Sequence, residues 1–200
     1  MTREPRGSRE LEDLMTAAVQ RATADFARRA EAEELVDVAY ASVDTPFGPM
    51  LTAVTDQGLV TVVIDGDDES HLDRIAREIS PRILENPSRL DRVRRELDEY
   101  FEGKRTDFDV PVDWRLIKGF SLKVLQATAA IPYGRVSTYK DMAIQAGSPK
   151  ASRAAGNALG SNPIPIVVPC HRVLHSGGGL GGYGGGLPMK KFLLELEGSL

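Results

Sequence analysis

The sequence has a single cysteine among 200 residues, so no internal disulfide can form, and a reducing, intracellular setting fits best. One cysteine with three histidines is also too little for a structural zinc site built on thiolates. No apolar run reaches the length of a membrane span. The opening Met1-Thr2-Arg3-Glu4-Pro5 has no apolar stretch of the kind a secretory signal needs. Both absences point to the cytoplasm and away from a membrane. What remains is 42% hydrophobic and 27% charged, long enough for one large domain or two small ones.

Charge is present but unevenly placed. From Lys118 to Leu200 there are nine Lys and Arg against three acids, so that part carries +6; the total of -4 leaves -10 for the rest. A basic half beside an acidic half suggests that only the C-terminal part meets a polyanion. Ordinary variation in surface charge is the alternative.

The chain divides into three expected regions: a helical extension over 1–35, an α+β domain over 36–110 and a second domain over 117–200. Residues 8–35 have Leu11, Leu14, Met15, Ala18, Val19 and Ala22 at helical spacing, with Ser8 able to cap them. Whether this helix docks or is solvated stays open. Residues 36–65 read as two or three strands, with turn chemistry at Thr45 to Pro49 and Asp56-Gln57-Gly58. Helices follow over Ser70–Ile79, which carries His71 as a surface residue, and over Leu90–Phe101, ended by Gly103. Strands followed by helices give a small α+β domain, and 104–118 reads as a connection.

The second domain opens with a helix carrying Phe120, Val124, Leu125 and Thr128, stopped near Ile131-Pro132-Tyr133-Gly134. A pair of short helices follows. Ser137 or Thr138 caps the first, which runs to about Ala146 and closes at Gly147. Ser148-Pro149 is expected to restart the second, as cap and first helical residue. Helix, glycine turn, helix is the helix-turn-helix pattern, which is often purely structural.

The chemistry concentrates after an apolar, proline-punctuated segment, Pro163 to Pro169, which cannot be helical and reads as stiff and buried. It delivers Cys170-His171-Arg172. A thiolate is a nucleophile, and cationic neighbours lower its pKa. A lone cysteine is more often a small buried hydrophobe, but His and Arg at a buried position need partners. Taken singly, other residues also have plain readings: Tyr139 as a core aromatic, Arg153 as a solvated charge, Asn162 as a turn residue before Pro163. Glu197 could be a surface carboxylate paired with Lys190 or Lys191. Gly177 to Gly182 contains a G-x-G-x-x-G, but no strand leads into it and no helix opens on it, so dinucleotide binding is rejected. A flexible linker remains.

The run Ile166-Val167-Val168-Pro169-Cys170-His171-Arg172-Val173 resembles the active-site signature of the O6-alkylguanine-DNA alkyltransferases. Upstream, the resemblance takes in Ile131-Pro132-Tyr133-Gly134, Ser137-Thr138-Tyr139, Arg153 to Ala158 and Asn162-Pro163. Downstream it takes in Gly181 to Leu187 and Leu193 to Gly198. It is strong over 117–198 and looser over 36–116. It implies a ribonuclease H-like N-terminal domain and a C-terminal helical domain with a winged-helix-like helix-turn-helix.

The resemblance also implies roles. Cys170 takes the alkyl group irreversibly, one turnover per molecule, with no cofactor. His171 removes its proton through a water, and Glu197 orients the imidazole. Tyr139 protonates guanine N3. Asn162 ties the second helix of the pair to the active-site segment. Arg153 fills the stack vacated by a base flipped from double-stranded DNA. Ser152 and Gly156 lie on the same DNA-facing helix, whose Ala154, Ala155, Gly156 and Ala158 allow close approach. The backbone of Val173 reads the base edge, the Gly184 amide reaches O6, and Tyr183 is a wall of the pocket. His175 receives no role. The partner is duplex DNA containing O6-alkylguanine, met by a monomer.

Gly184 stands where some relatives carry serine, and the glycine-rich loop implies a looser pocket for larger adducts. The zinc ligands and the adaptive-response module of some relatives are absent, and 1–35 matches nothing in the family pattern. Two other functions fit parts of the sequence. A non-catalytic alkylguanine binder would not need Cys170. A Cys-His-Glu thiol hydrolase would not need Arg153 or the helix pair.

Overall fold

The structure is a computed structural model that describes residues 6–64 and 66–200. Met1 to Pro5 and the side chains of Ser8 and Leu11 lie outside the described residues. The chain opens with α1 (Arg6–Ala32). Its C-terminal end is docked: Ala27 and Ala30 are buried, and Glu31 accepts from Asn86 at 3.2 Å and pairs with Arg89 at 3.4 Å. Leu14, Met15, Val19 and Phe26 are exposed.

Three strands follow, β1 (Val38–Val43), β2 (Met50–Val54) and β3 (Leu59–Val63). Next come α2 (Asp68–Glu78), β4 (Ile83–Glu85) and α3 (Asp91–Phe101). The sheet order is β3-β2-β1-β4, with β4 parallel to β1 and the other pairs antiparallel. The three-residue β4 has no alternation long enough to be legible in sequence.

Strands β2 and β3 are buried along their whole length. Burial on both faces removes the polar alternation of a half-exposed strand. The edge of β3 is covered rather than open. Leu59 donates to Pro111 O at 2.8 Å, and Asp113 donates back to Leu59 O at 2.9 Å. Further along, Val62 N and Thr61 Oγ1 both donate to Pro163 O, at 2.8 and 3.0 Å. The connection and the segment leading to Cys170 thus take the hydrogen bonds that an exposed edge would leave unpaired, which fixes the segment against the first domain.

The second domain contains α4 (Gly119–Ala129), β5 (Ser137–Thr138), α5 (Tyr139–Gln145), α6 (Ser152–Gly160), β6 (Val173–Leu174) and α7 (Gly186–Leu196). Strands β5 and β6 pair in parallel. Helices α4, α5 and α6 pack on one another. Thr138 caps α5 by accepting from Asp141 N at 3.1 Å, and Gly147 takes a left-handed φ of 80°, which glycine adopts at low cost.

The expected start of the second helix is corrected. Ser148-Pro149 does not open it. Ala151 N donates to Ser148 O at 2.9 Å, so residues 148–151 form a turn. Proline's fixed φ suits the second position of such a turn as well as a first helical position. Helix α6 begins three residues later, at Ser152. Among the described residues, no helix is long and apolar enough to cross a membrane.

Candidate active site

The segment from Pro163 to Pro169 is a series of tight turns with Ile164, Ile166 and Val168 buried. Ile166 has a φ of 73°, a conformation that a β-branched residue takes only where its surroundings impose it. The turns end in a short 3₁₀ helix over Cys170–Arg172. Cys170 is 8% exposed. Asn162, just beyond the end of α6, donates from Nδ2 to Cys170 Sγ at 3.3 Å and to Val168 O at 2.9 Å. Its Oδ1 accepts from Ile164 N at 3.1 Å. With the oxygen engaged by an amide, the amino group faces the sulfur. These bonds link the residue that follows the end of α6 to the cysteine segment.

His171 is fully buried. Its Nε2 lies 2.9 Å from Glu197 Oε1. The carboxylate accepts only, so Nε2 carries the proton and Nδ1 keeps a free lone pair. Nδ1 is buried and has no protein partner. Burial holds the His171 pKa below its ordinary value despite the pull of Glu197. The imidazole is thus neutral, with one nitrogen oriented and the other able to accept a proton.

Glu197 is not paired with Lys190, as one reading of the sequence has it. It is 5% exposed and bound by Arg172 through Nε at 2.8 Å and Nη2 at 2.9 Å. Tyr100 of α3 donates to the same carboxylate at 2.6 Å. Burial raises the Glu197 pKa, but the bonds from His171, Arg172 and Tyr100 overcome it and hold the group at about 2. Arg172 also donates to Ile131 O and lies 5.8 Å over the Tyr133 ring.

Lys190 is also fully buried. Its Nζ donates to Val173 O at 2.7 Å and reaches Gly182 O at 3.5 Å. Burial lowers its pKa to about 8. The expectation that His171 and Arg172 lower the thiol's pKa is corrected accordingly. His171 is neutral, and Arg172 is neutralised by Glu197. Burial raises the Cys170 pKa; the Asn162 hydrogen bond, the charge of Lys190 and the backbone amides of Cys170 and His171 oppose it. The resting thiol is therefore protonated and needs a base.

A cavity of about 650 Å³ opens at Cys170. Tyr139, Ser152, Arg153, Gly156, Tyr183 and Gly184 all line it, so the structure gathers the expected DNA-facing residues around the sulfur. Arg153 is exposed and lines it. Gly156 faces the Tyr139 ring, which a Cβ there would meet at 3.7 Å. Burial and the neighbouring Cys170 raise the Tyr139 pKa, keeping its hydroxyl a donor. The Tyr183 hydroxyl is buried without a partner, and its ring meets His171 edge-on at 6.3 Å. Val173 is buried, and its carbonyl accepts from Lys190. His175, given no role from sequence, lines the cavity and packs on Tyr139 with ring centroids 5.0 Å apart.

A second cavity, of about 280 Å³, reaches Cys170 from the first domain. His71 and Arg74 line it, so His71 is half-buried at an interdomain surface rather than simply on the outside.

Residues 119–199 match the family model for the DNA binding domain of 6-O-methylguanine DNA methyltransferase. Residues 38–114 match that for its ribonuclease-like domain. The methylated-DNA–protein-cysteine methyltransferase of Methanosarcina barkeri is 39% identical over 162 residues, 79% of this chain and 96% of that protein. The inducible enzyme of that name from Bacillus subtilis is 42% identical over 147 residues, 72% of this chain and 82% of its own. The solved O6-methylguanine methyltransferase of Mycobacterium tuberculosis superposes with a TM-score of 0.68 at 37% identity, covering 81% of this chain and 93% of that one. The structure of the Mycobacterium tuberculosis protein OGT in complex with DNA has the same score and identity, over 80% and 93% of the two chains.

Proposed function

The chain belongs to the 6-O-methylguanine DNA methyltransferase family, and from that premise we propose that it repairs O6-alkylguanine in duplex DNA by moving the alkyl group onto Cys170. The activity is that of a methylated-DNA–protein-cysteine methyltransferase. The observation that carries the assignment is Cys170 itself, buried at a cavity that Arg153 and Tyr139 also line.

The neutral His171 accepts the thiol proton at Nδ1 through a water, while Glu197 holds Nε2–H. The thiolate attacks the carbon bonded to O6. A C–S bond forms and the C–O6 bond breaks. The electron pair stays with guanine, which takes a proton at N3 from Tyr139. The Gly184 amide serves O6, and the Val173 backbone reads the base edge. The product is a thioether with no ready leaving group, so each molecule acts once. Arg153 enters the stack that the flipped base leaves, with Ser152 and Gly156 of α6 against the minor groove. In the same reading the boundaries are 1–35, 36–110 and 117–200, the α5–α6 pair is a helix-turn-helix, and the protein works as a monomer in the cytoplasm.

Incubation with duplex DNA containing O6-methylguanine, followed by intact mass measurement, tests this. The expected result is a gain of one methyl that Cys170→Ser abolishes. Tight binding with no gain in mass would leave only a non-catalytic binder.

A further inference from the structure

Two cavities meet at Cys170. The larger opens between Tyr139 and Arg153, where the flipped base is received. The smaller lies across the domain boundary, bounded by the end of β3 and by His71 and Arg74 of α2. Leu159, Gly160, Tyr183 and Gly184 line both, so the sulfur stands at their junction. In-line displacement puts sulfur and O6 on opposite sides of the reacting carbon, and the rest of the alkyl chain leaves roughly perpendicular to that axis. A methyl group needs no further room. A longer chain needs a side space, and the interdomain cavity adjoins the sulfur to supply it.

Its chemistry is selective. Val62, Val63, Ile64, Pro163 and Pro165 make an apolar wall, and no acidic side chain among the described residues lines it. Arg74 uses Nε on Glu78 at 3.0 Å and Nη2 on Leu116 O at 2.7 Å. A guanidinium has five N–H groups in a fixed fork, so donors remain. Glu78 offsets part of the charge but is shared with Lys118 at 3.9 Å. The volume, about 280 Å³, is ample, since a dry cavity of about 150 Å³ already holds benzene.

We propose that this interdomain cavity receives the tails of alkyl groups longer than methyl, and that Arg74, beside His71, selects tails ending in a carboxylate. The inference rests on the O6-alkylguanine reading above. The reaction is the same: C–S forms, C–O6 breaks, guanine leaves with the electron pair and is protonated, and Cys170 becomes a carboxyalkyl thioether. Arg74 is a specificity residue that touches the tail and not the reacting carbon.

The test uses the full chain with three duplexes bearing O6-methylguanine, O6-carboxymethylguanine or its neutral amide, O6-carbamoylmethylguanine. Single-turnover rates and the mass of the adduct on Cys170 are read for each. Wild type is expected to take the carboxymethyl group faster than the amide. Arg74→Gln should slow carboxymethyl transfer about tenfold or more, the scale of a charged hydrogen bond, with methyl transfer unchanged. Arg74→Lys should restore most of the rate. His71→Trp, which fills the cavity, should slow both longer adducts and spare methyl. Equal loss on all three duplexes in Arg74→Gln, or equal rates for carboxymethyl and amide in wild type, would overturn the proposal while methyl transfer upheld the underlying reading. Failure of wild type to react with O6-methylguanine would overturn that reading itself.

Discussion

Glu197 collects three donors that come from two domains, His171 and Arg172 beside the cysteine and Tyr100 from α3. Its pKa of about 2 makes it a source of acid lability. A carboxylate depressed in the folded state stabilises fully above its unfolded value, near 4.3, and loses that contribution as pH falls toward the folded value. His171, also depressed, adds in the same direction. The unfolded chain binds its proton below about 6.5 while the folded chain does not, so stability falls with pH from there. Denaturant titrations between pH 7 and pH 3 should show a steep loss of stability in wild type. Glu197→Gln should be less stable at pH 7 by about 3 kcal/mol or more, having left buried Arg172 unpaired, and should have a shallower acid slope. Parallel slopes would remove Glu197 from this role.

Lys190 makes a separate prediction at the same scale. It holds the Val173 carbonyl and supports the thiolate electrostatically. Lys190→Met keeps the apolar stem but removes the charge and the donor. Iodoacetamide trapping of Cys170 against pH should show ionisation displaced upward, and an unmoved profile would make Lys190 purely a packing residue. Both groups had a legible signal. Met189, Lys190, Leu193, Leu194 and Glu197 follow the spacing of one helical face, and all are buried. A lysine and a glutamate in an apolar stripe demand buried partners. Spacing alone could not say that Arg172 rather than Lys190 pairs with Glu197, because that depends on how α7 meets the 3₁₀ turn in three dimensions.

At the scale of elements, local chemistry was readable where a cap or glycine decides it. Thr138 and Gly147 bound α5 as their residue types require. The start of α6 was not readable, because serine followed by proline serves a turn and a helix start equally well. β4 and the covered edge of β3 were hidden for a related reason: their partners are distant in sequence, Val38 for one and Pro163 for the other. The glycines of the site separate by what surrounds them. A Cβ on Gly184 meets nothing within 4 Å, whereas one on Gly185 would lie 2.4 Å from Met189 Sδ and 3.0 Å from Ile64 Cγ2. Gly184→Ala should therefore stay within about 0.5 kcal/mol of wild type in thermal unfolding, and Gly185→Ala should be clearly destabilised. Comparable melting of the two would mean that the loop does not rest on β3's end as described. Gly156 inside α6 tests fitness for DNA. Alanine fits there at 3.7 Å from Tyr139 and favours the helix by about 0.5–1 kcal/mol. It should raise the melting temperature while slowing repair in duplex DNA, since it removes the close approach of α6 to the minor groove that the proposed function calls for.

For the whole molecule, the two domains divide the labour without being independent. The acidic first domain sends Tyr100 into the Glu197 cluster, brings Arg74 and His71 to the interdomain cavity, and holds Pro163 by two hydrogen bonds. Under the proposed function the basic part from Lys118 onward, at +6, is the part that meets the phosphates. Cations that neutralise phosphates release counterions, so affinity for duplex falls linearly with the logarithm of salt, with a slope set by the number of contacts. A small free substrate such as O6-benzylguanine releases none. Raising salt from 50 to 200 mM should therefore slow repair of O6-methylguanine in subsaturated duplex DNA steeply, while reaction with free O6-benzylguanine barely changes. Arg153→Ala should deepen the separation: it should weaken duplex repair more than reaction with the free base, because only the duplex requires the vacated stack to be filled. Equal losses on both substrates would remove Arg153 from base flipping and return it to the plain surface charge that its sequence position alone allows.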